Sequence, residues 1–240
     1  MEQDKNGMEK KGVIIMYKCC IFDLDGTLVN SIYALKRSVD LTLEHFGMGP
    51  ITIEDTKQFV GDGYKKLVER SLAAYGDKEL THYKEALDIY NEVFKGCCLY
   101  KVEAYKGIPE LLAFLKDNEI LITVLSNKPH QRALENVYHV FGENYFDRVY
   151  GEREAQGIKK KPAPDGVVAL IEELGLKKEE CLYLGDTNTD MKTGQAAQVD
   201  TVGVTWGFRP REELEAFAPK LVADTPFQVI DFIKAENHIE

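Results

Sequence analysis

Two aspartates at the end of an apolar run are the first residues of this 240-residue chain to suggest chemistry. Asp23 and Asp25 lie two positions apart in the segment DLDGT, at the end of the run Tyr17–Leu24. Residues i and i+2 of an extended chain point the same way, so both carboxylates would be aimed into one site. Like charges so close are costly unless a cation or a proton lies between them. An Asx-turn or a helix cap is the alternative, and it explains one aspartate better than two.

A second acidic segment, GDTNTD, begins at the end of another apolar run, Cys181–Gly185. Asp186 directly follows that run, so we expect it beside Asp23 and Asp25 at the same edge of a sheet. Asp190 lies at the start of the next helix, where capping alone could explain it. Three or four converging carboxylates need a divalent cation, and an all-oxygen ligand set suits Mg²⁺. The sequence therefore predicts a magnesium site.

Two weaker signals would complete a site for an anion. Ser126 follows the apolar run Ile120–Leu125, so its hydroxyl could face the same edge, although it could also simply cap the next helix. Lys161 closes a run of three lysines, and such runs usually lie on a solvated surface. Two nearby prolines would hold the Lys161 loop stiff. Each signal is weak by itself, and it supports a shared site only because of where the residue lies relative to the predicted strands and helices.

The elements that would position these residues alternate between strand and helix. Strands are predicted over Tyr17–Leu24, Ile120–Ser126, Arg148–Gly151, Cys181–Gly185 and Asp200–Val204. Helices are predicted over Ile108–Asn118, His130–Phe141, Pro164–Leu174, Asp190–Ala197 and Pro226–Ala235. This alternation predicts a parallel sheet covered on both faces, with its chemistry at the carboxyl ends of the strands.

Residues 31–100 interrupt the alternation. Strand signals are weak there, and helical spacing of apolar residues is seen over Ser31–Phe46, Gly63–Tyr75 and Thr81–Phe94. We therefore predict an α/β protein in which residues 17–30 and 101–240 form a Rossmann-like parallel sheet core and residues 31–100 form an inserted α-helical cap. Residues 1–16 are polar and without pattern, and are predicted to be a mobile tail.

Charge and composition narrow the class of protein. The chain has 30 Lys and Arg against 40 Asp and Glu, a formal net charge of −10, which argues against binding to nucleic acid or an acidic membrane. The apolar runs are too short to span a bilayer, and no signal peptide is visible. Five cysteines include two adjacent pairs without zinc-like spacing, which indicates reduced thiols and a cytoplasmic location.

The ordered set of motifs resembles the haloacid dehalogenase-like hydrolase superfamily, across roughly residues 17–235. The flanks FDLDGTLVNS, VLSNKP, KPAPD and GDTNTD look most like its phosphoglycolate phosphatase-type branch. Many relatives have threonine where Ser126 stands, and both residues supply a hydroxyl. The 101 positions from Asp25 to Ser126, against 35 from Ser126 to Lys161, resemble the class with a helical cap, which is used with small phosphorylated substrates.

The resemblance also implies roles for the acidic residues. Asp23 would be the nucleophile that forms an aspartyl-phosphate, and Asp25 the general acid and then the general base. Mg²⁺ would be held by the Asp23 carboxylate, the Asp25 backbone carbonyl and Asp186. Asp190 would orient the groups around the metal.

The remaining predicted site residues would bind the phosphoryl group. Ser126, the amide of Asn127 and Lys161 would hold its oxygen atoms and offset the charge that develops on them. Thr27 would be a supporting hydroxyl beside the acid/base. The implied activity is that of a Mg²⁺-dependent phosphatase acting on a small phosphorylated metabolite similar to phosphoglycolate.

Several alternatives stay open at this level. The same motifs occur in β-phosphoglucomutase-like phosphotransferases, pyrophosphatases and nucleotidases, whereas a non-catalytic binding module would usually have lost the nucleophile or its partner. In the cap, Lys65 or Arg70 could meet a substrate carboxylate, or could be ordinary charges on a solvent-facing helix. Neither the physiological substrate nor the oligomeric state is indicated by the sequence.

Overall fold

The structure, a computed structural model, describes residues 17–239. The segment 1–16, predicted to be a mobile tail, lies outside the described residues. The strands are β1 (Cys19–Phe22), β2 (Val29–Asn30), β3 (Glu103–Ala104), β4 (Leu121–Pro129), β5 (Arg148–Glu152), β6 (Cys181–Gly185), β7 (Asp200–Val204) and β8 (Leu221–Ala223). The α-helices are α1 (Ile32–His45), α2 (Ile53–Phe59), α3 (Tyr64–Tyr75), α4 (Tyr83–Cys97), α5 (Ile108–Asp117), α6 (His130–Phe141), α7 (Asp165–Leu174), α8 (Asn188–Ala197), α9 (Arg211–Glu215) and α10 (Pro226–Asn237).

Six strands form one parallel sheet in the order β5-β4-β1-β6-β7-β8. The central strand β1 pairs with β4 on one side and with β6 on the other. The three strands that precede the predicted motifs are therefore neighbours, and their carboxyl ends meet at one edge. The predicted α/β class with a Rossmann-like parallel sheet is confirmed.

Helices cover both faces of the sheet, and consecutive side chains of each strand alternate between these two buried faces. Cys20 and Phe22 of β1 belong to the apolar cluster that includes residues of α5, α6 and α10. Cys19 and Ile21 belong to the opposite cluster, which includes residues of α7 and α8. Helices on both faces hold β1 rigidly, which fixes the residues that leave its end.

The cap consists of α1–α4 and has an apolar cluster of its own. Its longest helix, α4, buries Ala86, Tyr90 and Phe94 on one stripe at intervals of four residues. The short antiparallel pair of β2 and β3 lies where the chain leaves the core and returns to it. The predicted insertion of a helical cap is confirmed as part of the fold, while its boundaries at residues 31 and 100 stay a prediction.

The differences from the predicted elements lie in short segments and at ends. The helices α2 and α9 and the strands β2, β3 and β8 were not predicted, because segments of two to seven residues are too short to show a period. Strand β4 continues beyond its predicted end at Ser126 to Pro129, with a shift of register after Leu125. Ser126 and Asn127 therefore lie within the irregular end of β4.

Within residues 17–239, no helix combines the length and the apolar character that crossing a bilayer requires. All five cysteines are buried and unpaired. Cys19 and Cys20 point to opposite faces of the sheet because they are neighbours on a strand, so they cannot bridge each other.

Candidate active site

Asp23 and Asp25 leave the carboxyl end of β1 next to β6. The backbone N–H of Asp23 donates to the carbonyl oxygen of Leu184 at 2.9 Å, which continues the sheet by one residue. Asp23 is buried, with 6% of its surface exposed, and Asp25 is partly buried. The Asp25 carboxylate accepts hydrogen bonds from the Ser31 hydroxyl at 2.5 Å and from Lys128 Nζ at 2.6 Å. Its orientation is therefore fixed from two sides.

Gly26 makes the turn after these aspartates possible. Its φ is +90°, a conformation that residues with a side chain rarely adopt. A Cβ atom at this position would lie 2.2 Å from Oδ2 of Asp186, far inside a van der Waals contact. Glycine is therefore required both for the turn and for the close approach of the two loops.

Asp186 and Asp190 follow β6 and are fully buried. Oδ2 of Asp186 accepts from the backbone N–H of Phe208 at 2.7 Å, and Oδ1 accepts from the Thr27 hydroxyl at 3.2 Å. Thr27 thus contacts a candidate metal ligand. Asp190 forms a capping box with Thr187 at the start of α8, so it does cap the helix as one reading of the sequence allowed. Its second carboxylate oxygen is directed elsewhere.

Lys161 joins the two acidic segments. Its Nζ lies 2.7 Å from Oδ1 of Asp23 and 2.7 Å from Oδ1 of Asp190, and its side chain is 3% exposed. The hydroxyl of Tyr183 donates to the same oxygen of Asp190 at 2.9 Å. Burial alone would lower the pKa of Lys161, but the carboxylates of Asp190 and Asp23 outweigh it and raise this pKa above its usual range. The last of the three lysines is thus a buried cation, whereas Lys159 is exposed.

The carboxylates of Asp23, Asp186 and Asp190 form a cluster suited to a cation. One oxygen from each lies within 4.8 Å of the others. Burial, followed by the charge of Asp190, raises the pKa of Asp23 to about 7, although Lys161 opposes the shift. The same two causes raise the pKa of Asp186 well above its ordinary value. One ammonium group therefore does not balance the cluster, and the all-oxygen donor set fits a Mg²⁺ ion.

Ser126 and Asn127 approach the acidic cluster from β4. The Ser126 hydroxyl accepts from the backbone N–H of Lys128 at 3.2 Å, and both Ser126 and Asn127 are buried. Oδ1 of Asn127 accepts from the backbone N–H of Lys161 at 2.9 Å. Nδ2 of Asn127 donates to the carbonyl oxygens of Lys161 at 3.0 Å and Gly61 at 3.1 Å. The Asn127 side chain therefore holds the lysine loop in place and ties it to the cap.

A cavity of about 60 Å³ lies where these residues meet the cap. From the core it is lined by Asp23, Asp25, Ser126, Asn127, Lys128, Pro129, Lys161 and Phe208. From the cap it is lined by Leu35, Val60, Gly61, Gly63, Tyr64, Leu67, Tyr90 and Phe94. The structure thus brings five of the eight predicted site residues to one cavity, and the other three (Thr27, Asp186 and Asp190) lie against the acidic cluster beside it.

The two cap cations singled out from the sequence do not line this cavity. Lys65 is exposed. Arg70 is held by Asp62 at 2.5 Å, and it also donates to the carbonyl oxygen of Phe59 at 2.8 Å. Sequence reasoning overlooked Lys128, although this residue directly follows Ser126 and Asn127 in the motif.

The loop 60–63 of the cap is fastened to the core by side chains on both sides. The Thr189 hydroxyl donates to Oδ1 of Asp62 at 2.7 Å. The Arg209 guanidinium donates to the carbonyl oxygens of Lys57, Gln58 at 3.1 Å and Val60 at 2.8 Å, at the end of α2. These contacts hold the cap closed over the cavity.

Comparison with known proteins places this site in a family. A model of the family described as haloacid dehalogenase-like hydrolase matches residues 20–204 of the chain. That range includes all eight predicted site residues.

Individual relatives match most of the chain. A phosphoglycolate phosphatase of Colwellia psychrerythraea is 31% identical over 209 residues, which cover 85% of this chain and 92% of the relative. A 5′-nucleotidase of Pseudomonas aeruginosa is 30% identical over 205 residues, which cover 85% of this chain and 90% of the relative. The crystal structure of a Lactobacillus delbrueckii protein, provisionally named a phosphoglycolate phosphatase, superposes with a TM-score of 0.82 at 27% identity, covering 91% of this chain and 98% of that one.

Proposed function

The chain belongs to the haloacid dehalogenase-like hydrolase family and is a phosphatase, and from that premise we propose that it hydrolyses a small phosphorylated metabolite, with Mg²⁺, through an aspartyl-phosphate at Asp23. The observation that carries the proposal is the position of Asp23. This buried carboxylate lines the cavity, lies 2.7 Å from Lys161 Nζ and belongs to the acidic cluster with Asp186. Phosphoglycolate is the first substrate to test, because relatives named phosphoglycolate phosphatase match most of the chain.

The Asp23 carboxylate would act as the nucleophile. One of its oxygens would form a bond to phosphorus while the bond between phosphorus and the oxygen of the leaving alcohol breaks. The Ser126 hydroxyl and Lys161 would hold the phosphoryl oxygens and offset their growing negative charge. A water molecule would then attack phosphorus, releasing inorganic phosphate and restoring the carboxylate.

Asp25 would transfer the protons of both steps. As a general acid it would protonate the leaving alkoxide, and as a general base it would accept a proton from the attacking water. Its hydrogen bonds to Ser31 and Lys128 support this role, because they hold one carboxylate oxygen and leave the other for the reaction. It lines the same cavity as Asp23, which the role requires.

Asp23 and Asp186 would hold the Mg²⁺ ion, with Asp190 orienting Lys161 beside them. When bound, the ion would neutralise the negative charge that phosphate and carboxylates bring together. The raised pKa values of Asp23 and Asp186 support this proposal, because burial and the neighbouring carboxylates disfavour the ionised forms that a bound cation would stabilise.

The size of the cavity favours a small substrate. At about 10–15 Å³ for each water, a volume of about 60 Å³ holds roughly four to six water molecules. A leaving group of a few heavy atoms is of this size. A nucleoside would require the cap to move away.

The proposal is tested by the variant Asp23→Asn. We expect it to abolish Mg²⁺-dependent release of phosphate from phosphoglycolate and from p-nitrophenyl phosphate, with a loss of about 10⁴-fold or more in kcat. Asp231→Asn, which alters an exposed aspartate of α10, is the matched control and should retain wild-type activity. Retention of activity by Asp23→Asn near the wild-type rate would rule out Asp23 as the nucleophile.

The role of Asp25 is tested through the leaving group. Asp25→Ala should slow the cleavage of alkyl phosphates much more than the first step with p-nitrophenyl phosphate, because p-nitrophenolate leaves without a proton. Single-turnover rates of alcohol and p-nitrophenolate release make the comparison. Equal losses on both substrates would contradict the role of general acid.

A 5′-nucleotidase is the second candidate, and the Pseudomonas aeruginosa relative of that name favours it over other hydrolases. Specificity constants for phosphoglycolate and for nucleoside 5′-monophosphates, compared at fixed Mg²⁺, distinguish the two. A β-phosphoglucomutase-like enzyme would instead interconvert hexose 1-phosphate and hexose 6-phosphate without net release of phosphate. We further place the protein in the cytoplasm, a proposal that its five unpaired cysteines support.

A further inference from the structure

The hydroxyl of Tyr90 is buried without a hydrogen-bond partner. Tyr90 lies on α4, is 1% exposed, and its oxygen has no partner within the described residues. Its ring stacks between the rings of Tyr64, with centroids 5.9 Å apart, and Phe94, with centroids 5.4 Å apart. Buried hydroxyls almost always have a partner, because leaving one unpaired is costly. Because the ring is held from both sides, its hydroxyl is a fixed donor that is available to a ligand.

This hydroxyl belongs to the cavity that holds the proposed nucleophile. Tyr90 lines that cavity together with Asp23 and Asp25. Burial, followed by the charge of the Asp25 carboxylate, raises the pKa of Tyr90. The phenol therefore stays protonated and can only donate to an anion. The leaving group of a substrate attacked by Asp23 and protonated by Asp25 would occupy this space.

Lys128 provides a cation in the same place. Its side chain is 3% exposed, and Nζ lies 2.6 Å from Oδ1 of Asp25 and 2.9 Å from Oδ1 of Asn136. These are its two acceptors among the described residues, so one of its three N–H groups is left for a ligand. Nζ also lies 5.7 Å from the centroid of the Phe94 ring, on which Tyr90 stacks. Lys128 and Tyr90 are thus both neighbours of the Phe94 ring, at the junction of core and cap.

The cap residues that line the cavity carry no charge. Apart from the hydroxyls of Tyr64 and Tyr90, they offer apolar surface and the glycines of the loop 60–63. Lys161, the other cation of the cavity, lies against Asp23 and Asp190, where it would hold the phosphoryl oxygens. A negative charge at the far end of a leaving group would therefore have Lys128 as its cation and Tyr90 as its neutral donor.

We propose that Tyr90 Oη and Lys128 Nζ together bind the carboxylate of the leaving group when the substrate is the phosphate monoester of a small hydroxy acid, such as phosphoglycolate. Tyr90 is then a specificity-determining residue, which selects a carboxylate over an uncharged end group. This inference rests on the proposed phosphatase function. It assigns the recognition of the substrate to residues other than Lys65 and Arg70, the cap cations that the sequence suggested.

The test compares substrates that differ only at this end of the leaving group. The specificity constants of the wild type and of Tyr90→Phe are measured with phosphoglycolate, 2-hydroxyethyl phosphate and ethyl phosphate at fixed Mg²⁺. We expect the specificity constant of the wild type to be at least about tenfold higher for phosphoglycolate than for ethyl phosphate. Tyr90→Phe should reduce that preference by about tenfold, because it loses one hydrogen bond to a charged group. Tyr83→Phe is the matched control, since this tyrosine of α4 lies outside the cavity and its hydroxyl makes only an exposed hydrogen bond to the Lys65 carbonyl oxygen.

A second measurement separates recognition from folding. The melting temperature of Tyr90→Phe without ligand should equal or exceed that of the wild type, because the variant removes an unpartnered hydroxyl. An unchanged preference for phosphoglycolate in Tyr90→Phe, or a wild type without that preference, would overturn the inference and leave the phosphatase assignment standing. If the wild type released no phosphate from these esters or from p-nitrophenyl phosphate, the proposed function would fail and the inference with it.

Discussion

The cavity is built from two surfaces of opposite character. The core floor consists of charged side chains that are each paired with an opposite charge, namely Asp23, Asp25, Lys128 and Lys161. The cap roof consists of side chains that pack without charge, namely Tyr64, Leu67, Tyr90 and Phe94. The floor is held by ion pairs and hydrogen bonds at 2.5–2.9 Å, whereas the roof is held by stacked rings and apolar contact.

This difference separates the chemical step from the choice of substrate. Buried charges are tolerated only when every partner is in place, so the residues of the core floor are specified by one another. Apolar packing is not directional, and many side chains of suitable volume can fill a roof. In the proposed mechanism the core floor would attack phosphorus, and the cap roof, together with Lys128, would select the leaving group.

Removal of Lys161 should break the core floor most severely. Lys161→Met leaves the carboxylates of Asp23 and Asp190 without their cation, so we expect kcat to fall by about 10³-fold and the free energy of unfolding to fall by about 3 kcal/mol or more without Mg²⁺. Phosphate release and denaturant unfolding measure the two effects. Lys159→Met, at an exposed position two residues earlier, should leave both unchanged. Activity of Lys161→Met within tenfold of the wild type would contradict this account of the floor.

The pH dependence of stability tests whether the pKa of the buried Asp23 carboxyl is raised in the folded protein. The pKa of Asp23 is raised from 3.8 to about 7, so between about pH 4 and pH 7 the folded protein keeps a proton that the unfolded chain has released. The free energy of unfolding of the metal-free protein should therefore fall as the pH rises through this range, by about 1 kcal/mol per pH unit. Saturating Mg²⁺ should reduce this fall, because the ion stabilises the ionised carboxylates.

The matched variant for this measurement is Asp23→Asn, which removes the titrating group. Its stability in EDTA should depend less on pH between 5 and 7 than that of the wild type. Equal slopes for the two proteins would show that Asp23 ionises normally.

Arg209 allows a milder test on the cap side. Its guanidinium bonds the carbonyl oxygens at the end of α2, so Arg209→Gln should weaken the closed position of the cap without changing the core floor. We expect KM to rise about fivefold with little change in kcat, because a smaller fraction of the protein is ready to bind. Arg211→Gln, which alters an exposed arginine paired with Glu215 and Asp224, is the control. A lowered kcat with unchanged KM would mean that Arg209 acts on the chemistry.

The core floor could be predicted from the sequence because its chemistry demands residue types at fixed positions. Asp23 and Asp186 follow apolar runs that are unmistakable strands, and parallel strands bring their carboxyl ends to one edge. The burial of Lys161 was harder to predict, since a run of three lysines usually lies on the solvent-exposed surface. Which of the three lysines is buried depends on the Asn127 side chain, which extends from β4 and binds the backbone of the loop at Lys161.

The cap roof could not be predicted in the same way. Tyr90 and Phe94 lie four residues apart on the apolar stripe of α4, a pattern that indicates packing and nothing more. Only the three-dimensional arrangement distinguishes a tyrosine whose hydroxyl has no partner from one that simply fills the core. Arg70 illustrates the reverse case, because a charge in the cap suggested recognition until its bond to Asp62 was located.

The central claim is that phosphate is transferred to Asp23 before it reaches water, and trapping the phosphoenzyme tests it directly. In Asp25→Asn, p-nitrophenyl phosphate should still phosphorylate the protein, since its leaving group needs no acid, while loss of the general base slows hydrolysis of the intermediate. The reaction is quenched in acid within milliseconds and the peptides are analysed by mass spectrometry. We predict a burst of p-nitrophenolate and a phosphoryl group on the Asp23 side chain. A phosphoryl group on another residue, or a burst without any adduct, would contradict the claim.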